Sequence, residues 1–339
     1  MASMDIFNSD AFHTVSLTTA LEKIPYKPQF LNELNIFEPV PTNTRSIAIE
    51  KRDGFMQLIP TSQIGSAPTQ LQDDKRDIRN YSTKRWAKAF TLYAEQLSGI
   101  RQFGTETELM QVQAEAARRL SRLKDDFDLT AEYARLGALQ GKWLDSDGST
   151  LIDWFAEWGI TPNTPVAFAF SDATINVNDL TKKVARGMAR AAKGGFTTST
   201  TVHALVGDAF FDALVKHPSV DLTYKNWLAA EGLRATQASV FDAFYFGGIY
   251  FHNYRGTDDK STVAVADNAA VFFPVGVRDL FQVAYGPAEF DPWINTFGQE
   301  QYALTIPDRD RNAWTKFEIY SYPLYICTRP EVLYTGTAS

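Results

Sequence analysis

Cysteine is almost absent from this chain: Cys327 stands alone among 339 residues. One thiol cannot build an intrachain disulfide framework or a multi-cysteine zinc site, and it fits a reducing cytoplasm. Histidine is sparse too. His13, His203, His217 and His252 are scattered, none at a helical or strand spacing from another, so the sequence offers no imidazole pair for a metal or for acid–base work. Long apolar runs are missing. The best candidate, 240–252, is too short to cross a bilayer and carries Asp242 and two glycines, so no membrane partner is expected. The start, Met1-Ala2-Ser3-Met4-Asp5, has neither the basic segment nor the apolar core of a signal peptide. Positive charge is in deficit: 33 Lys and Arg against 40 Asp and Glu leave a net charge of −7, which disfavours a general affinity for nucleic acid.

Catalytic motifs are missing as well. There is no Gly-x-Ser-x-Gly nucleophile turn and no His-Glu-x-x-His pair. Asp145-Ser146-Asp147-Gly148 suggests calcium, but an EF-hand loop needs a ligand five places before its glycine, where Trp143 stands; a hairpin turn explains the run better. The stretch from Gly137 to Lys142 has the wrong glycine interval for a phosphate loop and no hydroxyl residue after the lysine. Lys193-Gly194-Gly195 reads as a helix terminus, and Asp308-Arg309-Asp310-Arg311 as a solvated connection. No catalytic, cofactor or metal residue is assigned.

What is present is the composition of a globular protein, with 45% hydrophobic and 22% charged residues. Aromatics make up 13%, suited to a thick core or to extensive subunit contacts. Residues 1–40 show no long period and carry Pro25, Pro28 and Pro39, which predicts an extended arm or an N-terminal segment packed on its own domain. Two alternating runs, Arg45 to Glu50 and Gly54 to Pro60, flank Lys51-Arg52-Asp53-Gly54 and predict a hairpin. A stretch dense in both signs follows, Asp73-Asp74-Lys75-Arg76-Asp77-Ile78-Arg79, with Thr83 to Phe90 as a returning strand. Little of this region is apolar enough to be buried on both faces, so it projects as a ribbon or lies as a solvated loop.

From Thr105 the period changes. Thr105 and Glu108 match a capping box, and Leu109, Val112, Ala116, Leu120, Leu123 and Phe127 recur at threes and fours, with charged residues on much of the remaining surface. The pattern resumes through Tyr133, Leu136 and Leu139 and stops at Gly141, predicting a helix over 105–140 with a bend near 125–128. A hairpin is predicted over 142–155, turned at Asp147-Gly148, and a second helix over 177–193. Further helices over 208–216 and 223–231 and strands at 202–206, 241–246, 270–273 and 280–284 make the class α+β.

The order of several short motifs adds a resemblance. Phe12-His13-Thr14-Val15-Ser16-Leu17-Thr18, Ile24-Pro25-Tyr26-Lys27-Pro28 and Leu34-Asn35-Ile36-Phe37 lead to Leu58-Ile59-Pro60-Thr61. Ala138-Leu139-Gln140-Gly141, Ala204-Leu205-Val206-Gly207 and His217-Pro218 follow. The C-terminal third carries Phe273-Pro274-Val275-Gly276, Tyr285-Gly286-Pro287-Ala288-Glu289-Phe290, Asn295-Thr296-Phe297-Gly298 and the run from Ser321 to Glu331. In this order they resemble the lambda-type major capsid proteins of tailed bacteriophages, the capsid E group, nearly end to end. One departure is Ser62-Gln63-Ile64-Gly65, which lacks the arginine expected before the glycine.

The resemblance implies the Hong Kong 97 fold. It assigns 1–40 to an N-terminal arm, 41–90 to an extended β-hairpin loop, 91–164 to a peripheral domain with the spine helix, 165–298 to an axial domain and 299–339 to a return to the peripheral domain. It implies a major capsid protein that assembles through pentamers and hexamers into an icosahedral head around double-stranded DNA. The protein would occupy the virion capsid, and the host cytoplasm during assembly. Portal and scaffold proteins, with a decoration protein as a further candidate, are the implied partners. An acidic balance suits a DNA container, because a neutral or mildly acidic lining repels the duplex over roughly 8 Å at physiological salt. The density of charge on a poorly buried loop marks Arg45, Lys51, Arg52, Asp73, Asp74, Lys75 and Arg76 as subunit-contact candidates. Two other readings compete: an encapsulin-like compartment shell and an uncharacterised cytoplasmic enzyme.

Overall fold

The computed structural model describes residues 30–53, 75–95, 108–234, 243–254, 256–257 and 263–339, with backbone alone at 50–53, 75–77, 108–115 and 227–234. The chain enters through a helical turn, α1 (Phe30–Glu33), and strands β1 (Glu38–Pro41), β2 (Ser46–Asp53), β3 (Lys75–Ser82) and β4 (Trp86–Tyr93). The long helix α2 (Glu108–Leu139), β5 (Lys142–Leu144), β6 (Thr150–Asp153), the turn α3 (Trp154–Glu157) and β7 (Val166–Ala167) follow. Next come α4 (Val177–Ala191), β8 (Thr201–Val206), α5 (Asp208–Lys216), α6 (Pro218–Arg234), β9 (Phe244–Phe246), β10 (Ile249–Asn253), β11 (Ala269–Val275) and β12 (Phe281–Tyr285). The chain closes with β13 (Tyr302–Pro307), β14 (Trp314–Ser321), β15 (Pro323–Cys327) and β16 (Tyr334–Thr337). Helix and strand are mixed without regular alternation, which is the α+β class.

Helix α2 is continuous over 32 residues, about 48 Å at the α-helical rise. Its two halves bury against different sheets. Ala116, Leu120, Leu123 and Phe127 pack on Leu92, Phe317 and Ile319 of the sheet β13-β14-β4. Ala131, Ala134, Leu136, Ala138 and Leu139 join the core beside the sheet β1-β12-β15. The helix ends where the periodicity predicts, and Gly141 takes φ 73°, a left-handed conformation that favours glycine. A side chain there would also collide with the Phe155 ring. The capping box at Thr105 lies outside the described residues.

The largest sheet has the order β7-β16-β11-β8-β10-β9. Alternation on β8 aims Val202, Ala204 and Val206 at one face, where they meet Val184 and Met188 of α4, Phe210 and Leu214 of α5, and Val220 of α6. Leu205, Val271 and Phe273 face the other way into the core that contains the C-terminal half of α2. Helix α4 matches its predicted span closely: Asn176 caps it by accepting from the Asn178 amide, and Lys193 and Gly194 leave it in left-handed conformations.

Three local expectations need correction. Lys51-Arg52-Asp53 is not the hairpin turn, because β2 runs straight through it and pairs with β3 in the register Ser46↔Ser82 to Asp53↔Lys75. The run Gly54 to Pro60 lies outside the described residues. The returning strand is Lys75–Ser82, whereas Trp86–Tyr93 crosses into the sheet with β14. Trp154 and Phe155 belong to the turn α3, capped by the Asp153 carboxylate, so β6 stops before them.

The sheets also cut across the expected domain boundaries. Strand β16, expected to return to the peripheral domain with 299–339, pairs with β11 and β7 in the six-stranded sheet. Strand β12, expected within 165–298, lies between β1 and β15. Register and side-chain fit choose these neighbours, and neither follows proximity along the chain.

Candidate functional site

The pair β2–β3 forms a sheet of its own, and two-stranded ribbons are marginal in water unless something holds them. Its base is held. Tyr81 is buried edge-on against Trp154 at 5.2 Å between ring centroids, and its hydroxyl donates to Glu157 Oε2 at 3.0 Å. Burial first, then the Glu157 carboxylate, pushes the Tyr81 hydroxyl up to about 12. Arg79 donates to the Glu157 carbonyl, pairs with its carboxylate at 3.5 Å, and lies over the Trp158 ring at 5.8 Å. One residue further out the grip ends, since Ile78 is 61% exposed.

The C-terminal motifs form a second grip on the same base. Thr42 donates its amide to the Tyr285 carbonyl at 2.9 Å, and Gly298 donates to the Thr42 carbonyl at 2.8 Å. Lys84 donates to Pro323, Gly286 to Tyr322, and Thr83 to Arg45. Two glycines are needed for this approach: a β-carbon at Gly286 would lie 2.9 Å from Thr83 Oγ1, and one at Gly298 would collide with the Tyr285 carbonyl. Arg85 completes the hub through Glu289 at 3.1 Å while lying over the Tyr320 ring.

The charged candidates separate on inspection. Arg45 is turned to its own chain, donating to the Pro287 carbonyl at 3.3 Å with its guanidinium over Tyr322 at 5.1 Å, so it anchors the ribbon base. Lys51 and Arg52 lie on β2 beside Lys75 and Arg76 on β3, in the pairs Arg52↔Arg76 and Lys51↔Asp77, at the end of the ribbon away from the hub. Like charges directly opposite destabilise an antiparallel pair. Asp73 and Asp74 lie outside the described residues.

Three features escaped the sequence. Ile294 and Phe297 are 53% and 69% exposed beside the hub, within a motif whose glycine is buried against the ribbon base. A helical period marked the apolar face of α2, but Asp128, Glu132 and Arg135 are buried on it too. Glu132 accepts from the Leu31 amide at 3.0 Å and the Tyr254 hydroxyl at 3.2 Å, with Arg135 at 3.9 Å. It thereby ties α1 and the end of β10 to the long helix, and burial raises its carboxyl above the ordinary range. His203 and His252, taken as scattered, lie on paired strands with Nδ1 of one 2.9 Å from Nε2 of the other. Burial holds His203 down to about 4, and burial together with its neighbour holds His252 down to about 3, so the pair is neutral at pH 7.

Among the described residues no group of three or more acidic, histidine or cysteine side chains could hold a metal, and no helix is long and apolar enough to cross a membrane. Cys327 is fully buried and its thiol is pushed far up by that burial, which removes it as a nucleophile.

The sequence model of the family described as phage major capsid protein E matches residues 13–338. The chain belongs to that capsid family. The major capsid protein of Salmonella phage Felix O1 is 27% identical over 353 residues, covering 95% of each chain. That of Pseudomonas phage KPP10 is 27% identical over 314 residues, covering 88% of this chain and 89% of its own. Among solved structures, the putative capsid protein of a prophage from E. coli CFT073 superposes with a TM-score of 0.55 at 13% identity, over 96% of this chain and 99% of its own. Membership in the capsid E family makes this a structural protein of the virion, and the fold is that of phage capsid proteins.

Proposed function

We propose that this major capsid protein closes into pentamers and hexamers and that these build an icosahedral head around double-stranded DNA. The observation that carries the reading is the family match across 13–338, joined to a ribbon held firmly at its base with Ile78 exposed just beyond the grip. In the Hong Kong 97 scheme the ribbon is the extended loop, α2 the spine helix, and residues 1–40 the arm. The six-stranded sheet with α4, α5 and α6 is the axial domain, with β16 included and β12 assigned to the peripheral domain.

Ring closure needs head-to-tail contacts, in which two different patches of one subunit meet on successive neighbours. The outer ribbon, carrying Lys51, Arg52, Lys75 and Arg76, with Asp73 and Asp74 adjoining in sequence, reaches over one neighbour, and Ile294 with Phe297 supplies an apolar contact near its base. Such contacts need only be weak. About 4 kcal/mol each, a millimolar affinity, becomes effectively irreversible when every subunit makes several in a closed shell. Portal and scaffold proteins are the partners this role calls for, with a decoration protein as a further candidate.

Negative-stain microscopy with light scattering tests the proposal. Purified protein, alone or co-expressed with scaffold and portal, is expected to give closed particles, and Lys51→Gln/Arg52→Gln/Lys75→Gln/Arg76→Gln to give folded subunits that close poorly. Monomers under every condition would overturn the shell reading; normal particles from the quadruple variant would overturn the ribbon's role.

A further inference from the structure

The chain is acidic overall, yet its charge is unevenly placed. Among the segments that run against the balance are 75–95 and helix α4 with Lys182, Lys183, Arg186 and Arg190. Their cations are in different states. In 75–95, Arg79 pairs with Glu157, Arg85 with Glu289 and Lys88 with Asp126. On α4 all four cations are exposed and none makes an ion pair with a described residue. Lys182, Arg186 and Arg190 follow at intervals of four, roughly 6 Å of helix rise each, so they form a single row. The row borders an open cavity of about 570 Å³ with Asp179 at one end and Tyr334 in its floor.

From this arrangement we infer that the α4 row is a contact surface for the phosphate backbone of double-stranded DNA. Its composition decides against a second copy of the chain. Subunit interfaces draw on aromatic and apolar cores and are depleted in lysine, though enriched in arginine; the ribbon proposed above for subunit contacts carries both signs, whereas this row has a single acid, Asp179, at its end. Here the residues between the cations are small and half-buried, Ala185, Gly187 and Ala189, so they add little apolar contact surface, and the two adjacent lysines keep strongly hydrated heads that suit a polyanion. On the neighbouring helices α5 and α6, Asp212 and Asp221 are paired within their own helices, with Lys216 and Lys225. A row touching about four phosphates binds weakly in one subunit and acts through repetition over a shell, which leaves the duplex free to enter and leave. The inference rests on the proposal that the shell encloses DNA.

The test uses the full chain, kept dilute and unassembled, with a fluorescent 30-base-pair duplex of mixed sequence titrated over a range of salt. Binding is expected to fall roughly 100-fold between 50 and 200 mM salt for about four contacts, and only about tenfold for Lys182→Gln/Arg186→Gln. Arg85→Gln/Lys88→Gln is expected to retain the parental slope. Microscopy of the same variants reads the shell separately, and the α4 variant should still form closed particles. No duplex binding at 50 mM salt, equal slopes for parent and α4 variant, or loss of particles with unchanged DNA binding would each overturn the inference; the last would make the row an interface between copies. Failure of the parent to form particles would instead strike the shell proposal.

Discussion

The six-stranded sheet and the β2–β3 ribbon are both made of paired strands, yet they are stabilised in different ways. The sheet is covered on both faces, and Phe168, Phe210, Phe251, Phe272 and Phe273 are fully buried around it. Among the ribbon's described side chains only Tyr81 is buried, with Ile47 and Ile49 half-buried against the core, and Glu157 and the C-terminal hub hold its base. Hydrophobic burial therefore decides whether the sheet exists, while a small apolar foot and a few polar contacts fix where the ribbon points. A region that must fold alone needs the first; one that must meet a neighbour is served by the second.

Phe272→Ala should produce the largest effect. It opens a cavity between Phe168, stacked at 5.8 Å, and Phe251 at 6.2 Å, and should cost about 3–5 kcal/mol, read as a lowered denaturation midpoint. A loss below about 1 kcal/mol would show the sheet to be less dependent on its core than the contrast requires. Glu132→Ala should cost about 2–4 kcal/mol, because the Leu31 amide, the Tyr254 hydroxyl and Arg135 would lose a shared buried partner. Hydrogen exchange at Leu31 should rise in that variant, distinguishing release of α1 from general softening.

The pH response separates the two regions further. His203 and His252 have folded pKa values of about 4 and 3, below the unfolded value, so the unfolded chain takes up protons first as pH falls. Their contribution is fully present above the unfolded pKa of about 6.5 and declines toward pH 4 by about 1.4 kcal/mol per unit for each histidine. Asp128 acts in the opposite sense, since burial pushes its carboxyl up to about 6 and the folded state binds its proton first. Asp128→Asn should therefore steepen the loss of stability between pH 6 and 4, measured by chemical denaturation at each pH; an unchanged slope would remove Asp128 from the balance. At the small end, Ile78→Ala on the ribbon should change the midpoint by less than about 0.5 kcal/mol, and a larger loss would mean that the ribbon contributes to the core.

Much of the local architecture was legible from the residues. Apolar spacing from Ala116 to Leu139 marked the face of α2, Gly141 its end, and Asp147-Gly148 the turn between β5 and β6. These signals are local, because helix periods and turn dihedrals depend on residues a few places apart. The order of motifs carried the family as well, although each motif alone is unspecific. What failed in the sequence reading was pairing at a distance. Lys51-Arg52-Asp53 looks like a turn until Lys75 to Asp77 is laid beside it, and nothing local brings β16 to β11 or β12 to β1.

The candidate site shows the same division. Charge density pointed to the ribbon, but only the folded chain lays Arg45 across Pro287 and Tyr322, exposes Phe297 and brings His203 against His252. The sequence by itself determined the α+β class, the long amphipathic helix, the absence of any recognised catalytic motif and the family. Tertiary structure alone decided which strands share a sheet, which cations have partners and which aromatic rings face solvent. The reason is physical: propensity and periodicity act within one or two turns of chain, whereas pairing, burial and charge neutralisation depend on residues that come together only when the core closes.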